Sequence, residues 1–501
     1  MTRKLGRPGL ALLTLGLAGC SSSEPSPVVE APCQNDDDCA EGQLCAVGRV
    51  REIELEAGDD ARCKPASHVI GQAPTSVRFV NGGSALDQRL CVSGGLDRGA
   101  GAAADAKRAR QLELLTAAGV HVIRLDFTWS EIEPAKGVFD ASGLDPAVDG
   151  ARAAGLEVLG IIAYGTPWAS SLTEKDDKYP PDDPADYASY ARALAKHFAG
   201  RVRRWELWNE PNGGWRFFRP KLNGDAAKYA SMLSAAAAAI RDECADCQVL
   251  SAGLFFHSQV VNGALEFTQD LVSAAPGALA DVDAFGIHPY PRYPPAVAPE
   301  DDAAPERSMA GMLADLDAVL DEHRVARLPY ALTELGWPSF GTVDEPSQAR
   351  FVARAMLLGA ALGGDPLCWF NLADGPKHGS FPPEDDFGLY RFGSDQPGAP
   401  IAAKPSRDVL ARLATLLQGA VPEGASDFGG FHAPAEGRFA LDFAGKAGRV
   451  TAIWQLSETP TAVHVTDESR HVEDTSAAVV AQPVNGALDV AVSPEPLFIV
   501  P

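Results

Sequence analysis

Two glutamates follow apolar, strand-like runs in this chain. Glu210 lies in the segment 205–212 (WELWNEPN), and Glu334 lies in the segment 332–337 (LTELGW). A pair of carboxyl groups facing one cleft can cleave a glycosidic bond, because one protonates the leaving oxygen and the other attacks or supports the oxocarbenium-like carbon. Tryptophans in both segments could stack on sugar rings, and Asn209 could hydrogen-bond a sugar hydroxyl. This chemistry requires that both strand ends lie at one rim.

A repeating order of elements could bring them together. From about residue 67, apolar strands alternate with amphipathic helices, which favours βαβ units and a parallel sheet. The predicted strands are 89–92, 120–127, 156–163, 202–208, 249–255, 282–287, 330–335 and 367–372. The predicted helices lie near 103–118, 145–154, 185–198, 225–243, 263–274, 306–323, 347–362 and 405–418. Eight such pairs predict a (β/α)8 TIM barrel over 67–418, whose strands end at one catalytic rim. An open doubly wound sheet is the alternative, although no G-x-G-x-x-G or P-loop follows a strand.

The two ends of the chain differ from the barrel. Residues 21–66 comprise a Ser/Pro/Glu-rich tether followed by a Cys-rich segment that is too small for a core of its own. After about residue 418 the helical period stops, and 438–444, 448–455, 461–465 and 496–500 are predicted as strands between turn residues. We expect residues 419–501 to form a small β-sandwich domain.

The net charge of the chain restricts the kinds of molecule that it is expected to bind. The chain carries 43 Lys and Arg against 67 Asp and Glu, a formal net charge of −24. Such a surface repels nucleic acid and anionic lipid headgroups, so we expect no nucleic-acid partner. A neutral carbohydrate substrate suits this charge better than a polyanion does.

The N-terminus predicts export. Basic residues precede a short apolar stretch, 9–19, that ends in the segment 17–20 (LAGC) and three serines. This segment resembles a bacterial lipobox, which implies that 1–20 is a lipoprotein signal peptide and that Cys20 carries the lipid anchor to the membrane. We therefore expect a cell-envelope protein, with the outer membrane favoured. A secretory signal cleaved nearby is the alternative, and it would release the protein outside the cell.

Eight further cysteines fit an oxidising compartment. Cys33, Cys39, Cys45 and Cys63 predict two disulfides with three possible pairings, and a zinc site is the rival interpretation. Cys244 and Cys247 form a C-x-x-C pair for which a disulfide is favoured over a metal or redox motif. The two remaining cysteines, Cys91 and Cys368, are interpreted as separate buried thiols.

The WNEPN and TELGW segments together resemble the clan A retaining glycoside hydrolases, most of all families 39 and 5. The chain is similar there to β-xylosidases and to endoglycosidases that cut biofilm exopolysaccharide. The resemblance spans residues 85–418 and does not reach the Cys-rich segment. It implies a TIM barrel, and it implies that Glu210 is the acid/base, that Asn209 contacts the 2-hydroxyl and that Glu334 is the nucleophile.

The same resemblance implies further substrate contacts at His288, Tyr290, Arg124 and Trp369. Trp129 and Trp337 are additional candidates for sugar stacking, and packing in the core is the competing interpretation for each. His288 could equally be a core histidine, and Glu206, two residues before Glu210, is interpreted as structural. The first strand departs from the family pattern, because residues 91–94 (CVSG) provide no clear sugar-binding side chain.

Several functions remain open from the sequence alone. The first is a retaining hydrolase of β-linked poly- or oligosaccharides in which Glu334 is ionised and Glu210 is protonated near neutral pH. The second is a surface lipoprotein that binds glycans without catalysis, and the third is a transglycosylase on the same barrel. We expect no metal and no organic cofactor, because both reacting groups are side chains. The sugar, the linkage and endo or exo action stay undetermined.

Overall fold

The computed structural model describes most of the chain from Phe79 onwards. The described ranges are 79–172, 176–214, 216–221, 224–256, 263–291, 296–301, 308–376, 382–466 and 469–501, together with the backbone of the short strands Gln43–Cys45 and Cys63–Pro65. These two strands pair antiparallel, with Cys45 opposite Cys63. The signal segment, the lipidation at Cys20 and the disulfides predicted for Cys33, Cys39, Cys45 and Cys63 lie outside the described residues and side chains.

The central unit is a closed barrel of eight parallel strands, which confirms the predicted fold class. The strands are β1 (Leu90–Ser93), β2 (Val122–Thr128), β3 (Glu157–Ala163), β4 (Arg204–Asn209), β5 (Gln248–Phe255), β6 (Phe285–His288), β7 (Tyr330–Leu335) and β8 (Leu367–Trp369). The main helices are α1 (Ala102–Ala117), α2 (Asp145–Ala153), α3 (Pro184–His197), α4 (Ala226–Glu243), α5 (Ala264–Ala274), α6 (Met309–Glu322), α7 (Glu345–Ala361) and α8 (Pro405–Leu416). Each strand pairs with the next along the chain, and β8 closes the barrel against β1.

Local sequence explains why these elements start where they do. The side chains of Asp183, Asp225, Ser308 and Asp344 cap the N-termini of α3, α4, α6 and α7 by accepting backbone N–H groups. The strands are almost wholly buried because helices cover them outside and side chains fill the barrel inside. One core cluster joins the helices to the outer faces of the strands, and a second, smaller cluster lies inside the barrel.

A disulfide between Cys91 and Cys368 corrects the prediction of two separate buried thiols. The two residues are register partners on β1 and β8, and their Cα atoms lie 4.0 Å apart. Closure of the barrel brings together positions that are 277 residues apart in sequence, which explains why spacing gave no sign of the bond. The predicted disulfide between Cys244 and Cys247 is confirmed at the end of α4.

The C-terminal unit is all β, as predicted. It comprises β9 (Val421–Ala425), β10 (Arg438–Gly445), β11 (Gly448–Gln455), β12 (Thr461–Thr466), β13 (His471–Glu473), β14 (Val479–Ala481), β15 (Ala487–Val492) and β16 (Leu497–Val500). Six strands form one antiparallel sheet in the order β9-β10-β11-β16-β13-β14, and β12 pairs with β15 in a second. Aromatic residues of the larger sheet, including Phe439 and Trp454, join the same core cluster as the barrel helices. The sheet is therefore packed on the barrel rather than held apart from it.

Across the described part of the chain, the search for a helix of the length and apolarity needed to cross a bilayer found none.

Candidate active site

The turn after β4 places Glu210 at the rim. Trp208 and Glu210 both have positive φ, 78° and 44°, a conformation that non-glycine residues adopt only when the surroundings hold them. The Trp208 indole N–H donates to the Phe217 carbonyl at 2.9 Å, and the Glu210 N–H donates to the Gly253 carbonyl at 3.1 Å. These two hydrogen bonds hold the unfavourable backbone conformation of the turn. That conformation directs the Glu210 carboxyl towards the barrel axis.

Glu334 meets Glu210 at this rim. One carboxylate oxygen of each glutamate and one ring nitrogen of His288 all lie within 4.8 Å of one another. Retaining glycosidases hold their carboxyl groups about 5–5.5 Å apart, whereas inverting enzymes leave about 6.5–9.5 Å for a water molecule. The nearest oxygens of the two carboxylates therefore lie closer together than the range given for inverting enzymes.

Glu334 accepts hydrogen bonds from two donors. The Tyr290 hydroxyl donates to Oε1 at 2.8 Å, and Arg124 Nη1 lies 3.4 Å from Oε2. Burial raises the pKa of Glu334 above its usual value, with the charge of Glu210 adding to the rise, while His288, Arg124 and the Tyr290 bond oppose it. The two donors favour the carboxylate form, but burial outweighs them, so the Glu334 carboxylate forms at higher pH than that of an exposed glutamate.

Glu210 is paired with His288, and the hydrogen-bond network requires one proton between them. His288 Nδ1 is 2.7 Å from Glu210 Oε1, and His288 Nε2 is 3.1 Å from the Thr333 hydroxyl. Thr333 donates its proton to Glu206 Oε1 at 2.9 Å, so it accepts from His288 Nε2. A neutral His288 with its proton on Nε2 has a bare Nδ1, and the short contact then requires a proton on Glu210. If His288 is charged, that proton lies on Nδ1 instead, so in either case the Glu210–His288 pair holds one transferable proton.

Beneath the glutamates lies a buried ion pair. Arg124 Nε donates to Glu206 Oε2 at 2.6 Å, and Nη2 donates to Glu206 Oε1 at 3.1 Å and to Asn209 Oδ1 at 2.8 Å. Arg124 Nη1 also donates to the Ser93 hydroxyl at 3.1 Å. The pair fixes the Asn209 amide and holds the guanidinium against Glu334. The structural role interpreted for Glu206 is therefore to position Arg124.

Three residues of this network were missed from the sequence. Ser93 on β1 accepts a hydrogen bond from Arg124, so the first strand supports the network although no clear sugar-binding residue was predicted there. Thr333 connects His288 to Glu206, and the Gly253 N–H donates to Glu206 at 2.9 Å. A Cβ on Gly253 would lie 2.1 Å from His288 Nε2, so only glycine fits there. Alternation along β7 could have indicated Thr333, since it precedes Glu334, but nothing in the sequence singled out the other two.

The three tryptophans named as candidate substrate contacts are core residues in the structure. Trp129, Trp337 and Trp369 are all 0% exposed, so they present no ring face to a ligand. Each indole N–H is used inside the protein, by Glu133, the Val297 carbonyl and the Phe387 carbonyl respectively. We correct these three assignments to packing, because the rings fill the layer between the strand ends and the surrounding helices and loops.

A cavity of about 270 Å³ opens beside this network, at the ends of β1 and β8. Its lining comprises Ser93, Gly94, Gly95, Phe370, Asn371, Leu372, Ala373, Asp374 and Asp395. Asn371 Oδ1 is buried there, and no described residue hydrogen-bonds to it. Burial raises the pKa of Asp374 to about 6, although Lys404, 2.6 Å away, opposes the rise. The lining can bond neutral hydroxyl groups, and it contains no Lys or Arg among the described residues.

A family model described as beta-galactosidase, glycoside hydrolase family 42, matches residues 103–172, a range that includes Arg124 but neither glutamate. The search of curated proteins by sequence returned no match.

Solved structures extend the match to most of the chain. A family 39 glycoside hydrolase from Bacteroides cellulosilyticus WH2 shares 22% identity with a TM-score of 0.63, covering 83% of this chain and 81% of that one. A GH39 beta-xylosidase from Caulobacter crescentus shares 15% identity with a TM-score of 0.54, covering 84% and 97%. A GH30 endoxylanase from Clostridium papyrosolvens C71 shares 13% with a TM-score of 0.53, covering 84% and 97%. The chain therefore has the fold of these clan A glycoside hydrolases, which confirms the resemblance at the level of the fold.

Proposed function

We propose that the chain is a glycosidase that cleaves β-linked bonds of a poly- or oligosaccharide with retention of configuration. The observation that supports the proposal best is the asymmetry of the two carboxyl groups. Their oxygens lie within 4.8 Å, yet Glu334 accepts hydrogen bonds from Tyr290 and Arg124, whereas Glu210 shares a proton with His288. A nucleophile must be ionised and a general acid must carry a proton, so this asymmetry supports Glu334 as the nucleophile and Glu210 as the acid/base.

The reaction then proceeds in two displacements. In the first, a Glu334 oxygen bonds to the anomeric carbon while the glycosidic C–O bond breaks and the Glu210 proton passes to the leaving oxygen. In the second, Glu210, now a carboxylate, removes a proton from water as the water oxygen attacks the anomeric carbon and releases Glu334. Each step inverts the anomeric centre, so the product retains the β configuration.

A neutral glycan is the substrate class that the charges favour. The chain carries a net charge of −24, and the cavity beside Ser93 has two aspartates and an unpaired amide oxygen on its wall. A uronic acid would bring a further negative charge to this lining. Because the structural neighbours include a beta-xylosidase and an endoxylanase, xylo-oligosaccharides belong in the first substrate panel.

We also propose that the protein acts in the cell envelope, anchored by a lipid on Cys20. The two disulfides of the described region, Cys91–Cys368 and Cys244–Cys247, support an oxidising compartment. Labelling cells with a fatty-acid analogue should tag the wild-type protein and not Cys20→Ala. Equal labelling of both would exclude the anchor and leave secretion.

The function is tested by incubating the purified chain with a panel of neutral and acidic β-glycans and identifying the products by mass spectrometry. We expect the wild-type protein to release shorter oligosaccharides from a neutral glycan, and we expect Glu334→Gln to release none from the same glycan. Products longer than the substrate would indicate a transglycosylase. Binding of a glycan without any bond cleavage would indicate a non-catalytic receptor.

A further inference from the structure

The loop after β6 connects the active site to the C-terminal domain. It begins with Tyr290, whose hydroxyl touches Glu334, and its described part continues from Ala296 to Asp301 before α6. The Trp337 indole N–H donates to the Val297 carbonyl at 2.7 Å, which ties the loop to the segment that follows β7. At the far end of the loop, the Glu300 side chain is directed into the interior.

Glu300 is a buried carboxylate bonded from two different domains. Its side chain is 1% exposed, and Arg354 on α7, 3% exposed, donates to it from Nε at 3.1 Å and Nη2 at 2.9 Å. Trp454 on β11 of the C-terminal sheet donates its indole N–H to Glu300 Oε1 at 2.7 Å. Arg354 Nη1 also reaches the Pro494 carbonyl of the same domain, at 3.4 Å. Barrel helix, loop and C-terminal sheet therefore meet at one carboxylate.

A buried charge keeps its place only while its partners keep theirs. Removing one donor from a desolvated carboxylate leaves part of the charge unsatisfied, and the group then moves towards water or recruits it. If the indole N–H of Trp454 is removed, Arg354 still donates to Glu300. The side of the carboxylate that faces residue 454 then loses its donor. Because Val297 lies three residues before Glu300, displacement of Glu300 disturbs the bond between the Val297 carbonyl and Trp337, which is three residues after Glu334.

We propose that the C-terminal domain is a positioning element of the active site, in which Trp454 holds Glu300 and, through the bond between Val297 and Trp337, keeps Glu334 in place against its donors. The domain is then part of the hydrolytic unit, not a separable glycan-binding module. The inference rests on the proposed function for its kinetic consequence, but the position of the loop can be measured without any substrate.

The test compares Trp454→Phe with Val490→Ala in the full chain. Trp454→Phe removes the donor to Glu300, whereas Val490→Ala weakens the internal core of the C-terminal domain, to which Val490 belongs and which excludes Glu300 and the loop. Hydrogen exchange of peptides covering 289–301 should rise at least about tenfold in Trp454→Phe and stay at the wild-type level in Val490→Ala. The acid limb of kcat/KM should move to higher pH only in Trp454→Phe, because Glu334 then loses part of its Tyr290 bond.

A second variant covers the case in which Trp454→Phe does not fold. Glu300→Gln keeps the shape and an acceptor for the indole, so it should fold and show a smaller rise in loop exchange than Glu300→Ala. Unchanged loop exchange in the folded variants would overturn the proposal. Increased loop exchange with an unmoved pH limb would confine Trp454 to a structural role. Absence of hydrolysis by the wild type would contradict the proposed function, while the exchange result would still decide the position of the loop.

Discussion

Removal of the Tyr290 hydroxyl tests how Glu334, the proposed nucleophile, is kept ionised. Tyr290→Phe should leave the ring in place, since it is 2% exposed and lies among aromatic neighbours, with Phe255 and Phe387 each at a centroid distance of 6.2 Å. What is lost is the hydrogen bond of 2.8 Å to the Glu334 carboxylate. Such a bond to a charged group contributes about 1.5–3 kcal/mol, and one pKa unit corresponds to about 1.4 kcal/mol. Burial already raises the pKa of Glu334, so the variant should raise it by roughly one to two further units.

The assay is kcat/KM against pH with an activated aryl β-glycoside, for which protonation of the leaving group matters little. The acid limb should move to higher pH by about one to two units in Tyr290→Phe. The control is Tyr187→Phe, since Tyr187 is 1% exposed and its hydroxyl donates to the Ile162 carbonyl at 2.7 Å. This control loses a buried hydrogen bond of the same barrel without touching the glutamates. An acid limb that coincides in wild type, Tyr290→Phe and Tyr187→Phe would refute the reasoning.

Three further predictions concern stability and cofactors. Glu334→Gln should raise the Tm near pH 7 and leave it unchanged near pH 4. The raised pKa of Glu334 makes its ionised form unfavourable in the folded state, and that cost disappears once the group is protonated in both the folded and the unfolded state. Equal differences in Tm at both pH values would contradict this. Replacing Cys91 and Cys368 together by alanine should lower the free energy of unfolding by up to about 5 kcal/mol, because this disulfide closes a long loop. The same replacement of Cys244 and Cys247 should lower it by about 2 kcal/mol, because their loop is far shorter. Denaturant titrations of the two double variants should give this order, and the reverse order would contradict the prediction. Activity should survive exhaustive chelation, although Glu334 shares with its neighbours a cluster that could accommodate a cation; loss in a chelator and recovery with one divalent ion would reveal a metal requirement.

The fold was predictable because its signals are local and repeated. Strand β7 was predicted at its observed bounds, 330–335, and β11 at 448–455, since both are continuous runs of apolar and β-branched residues between turn signals. The strands β9, β13, β14 and β15 were missed. Two of them, β13 and β14, have three residues each, too few to establish an alternating pattern, and their pairing depends on the sheet as a whole.

The meeting of Glu210 and Glu334 at one rim was predictable, and much of the hydrogen-bond network around them was not. Glu210 and Glu334 stand at strand ends, and a parallel barrel brings all strand ends to one rim. Ser93 and Gly253 matter because of register across the barrel, which no single strand encodes. The sugar contacts predicted for the tryptophans were wrong for a related reason. An indole near a strand end can face the core or the cleft, and the packing of the loops decides which.

The assignment of Glu334 as nucleophile and Glu210 as acid/base is tested most directly by the anomers of glycosyl azides. With an activated β-glycoside and added azide, Glu210→Ala should give the β-glycosyl azide, because the covalent intermediate still forms on Glu334 and azide enters from the vacated acid/base side. Glu334→Ala should give the α-anomer, because azide attacks the substrate directly in place of the missing carboxylate. Proton NMR coupling constants distinguish the two products. The β-anomer from Glu210→Ala and the α-anomer from Glu334→Ala support the account, and the reverse assignment would contradict it.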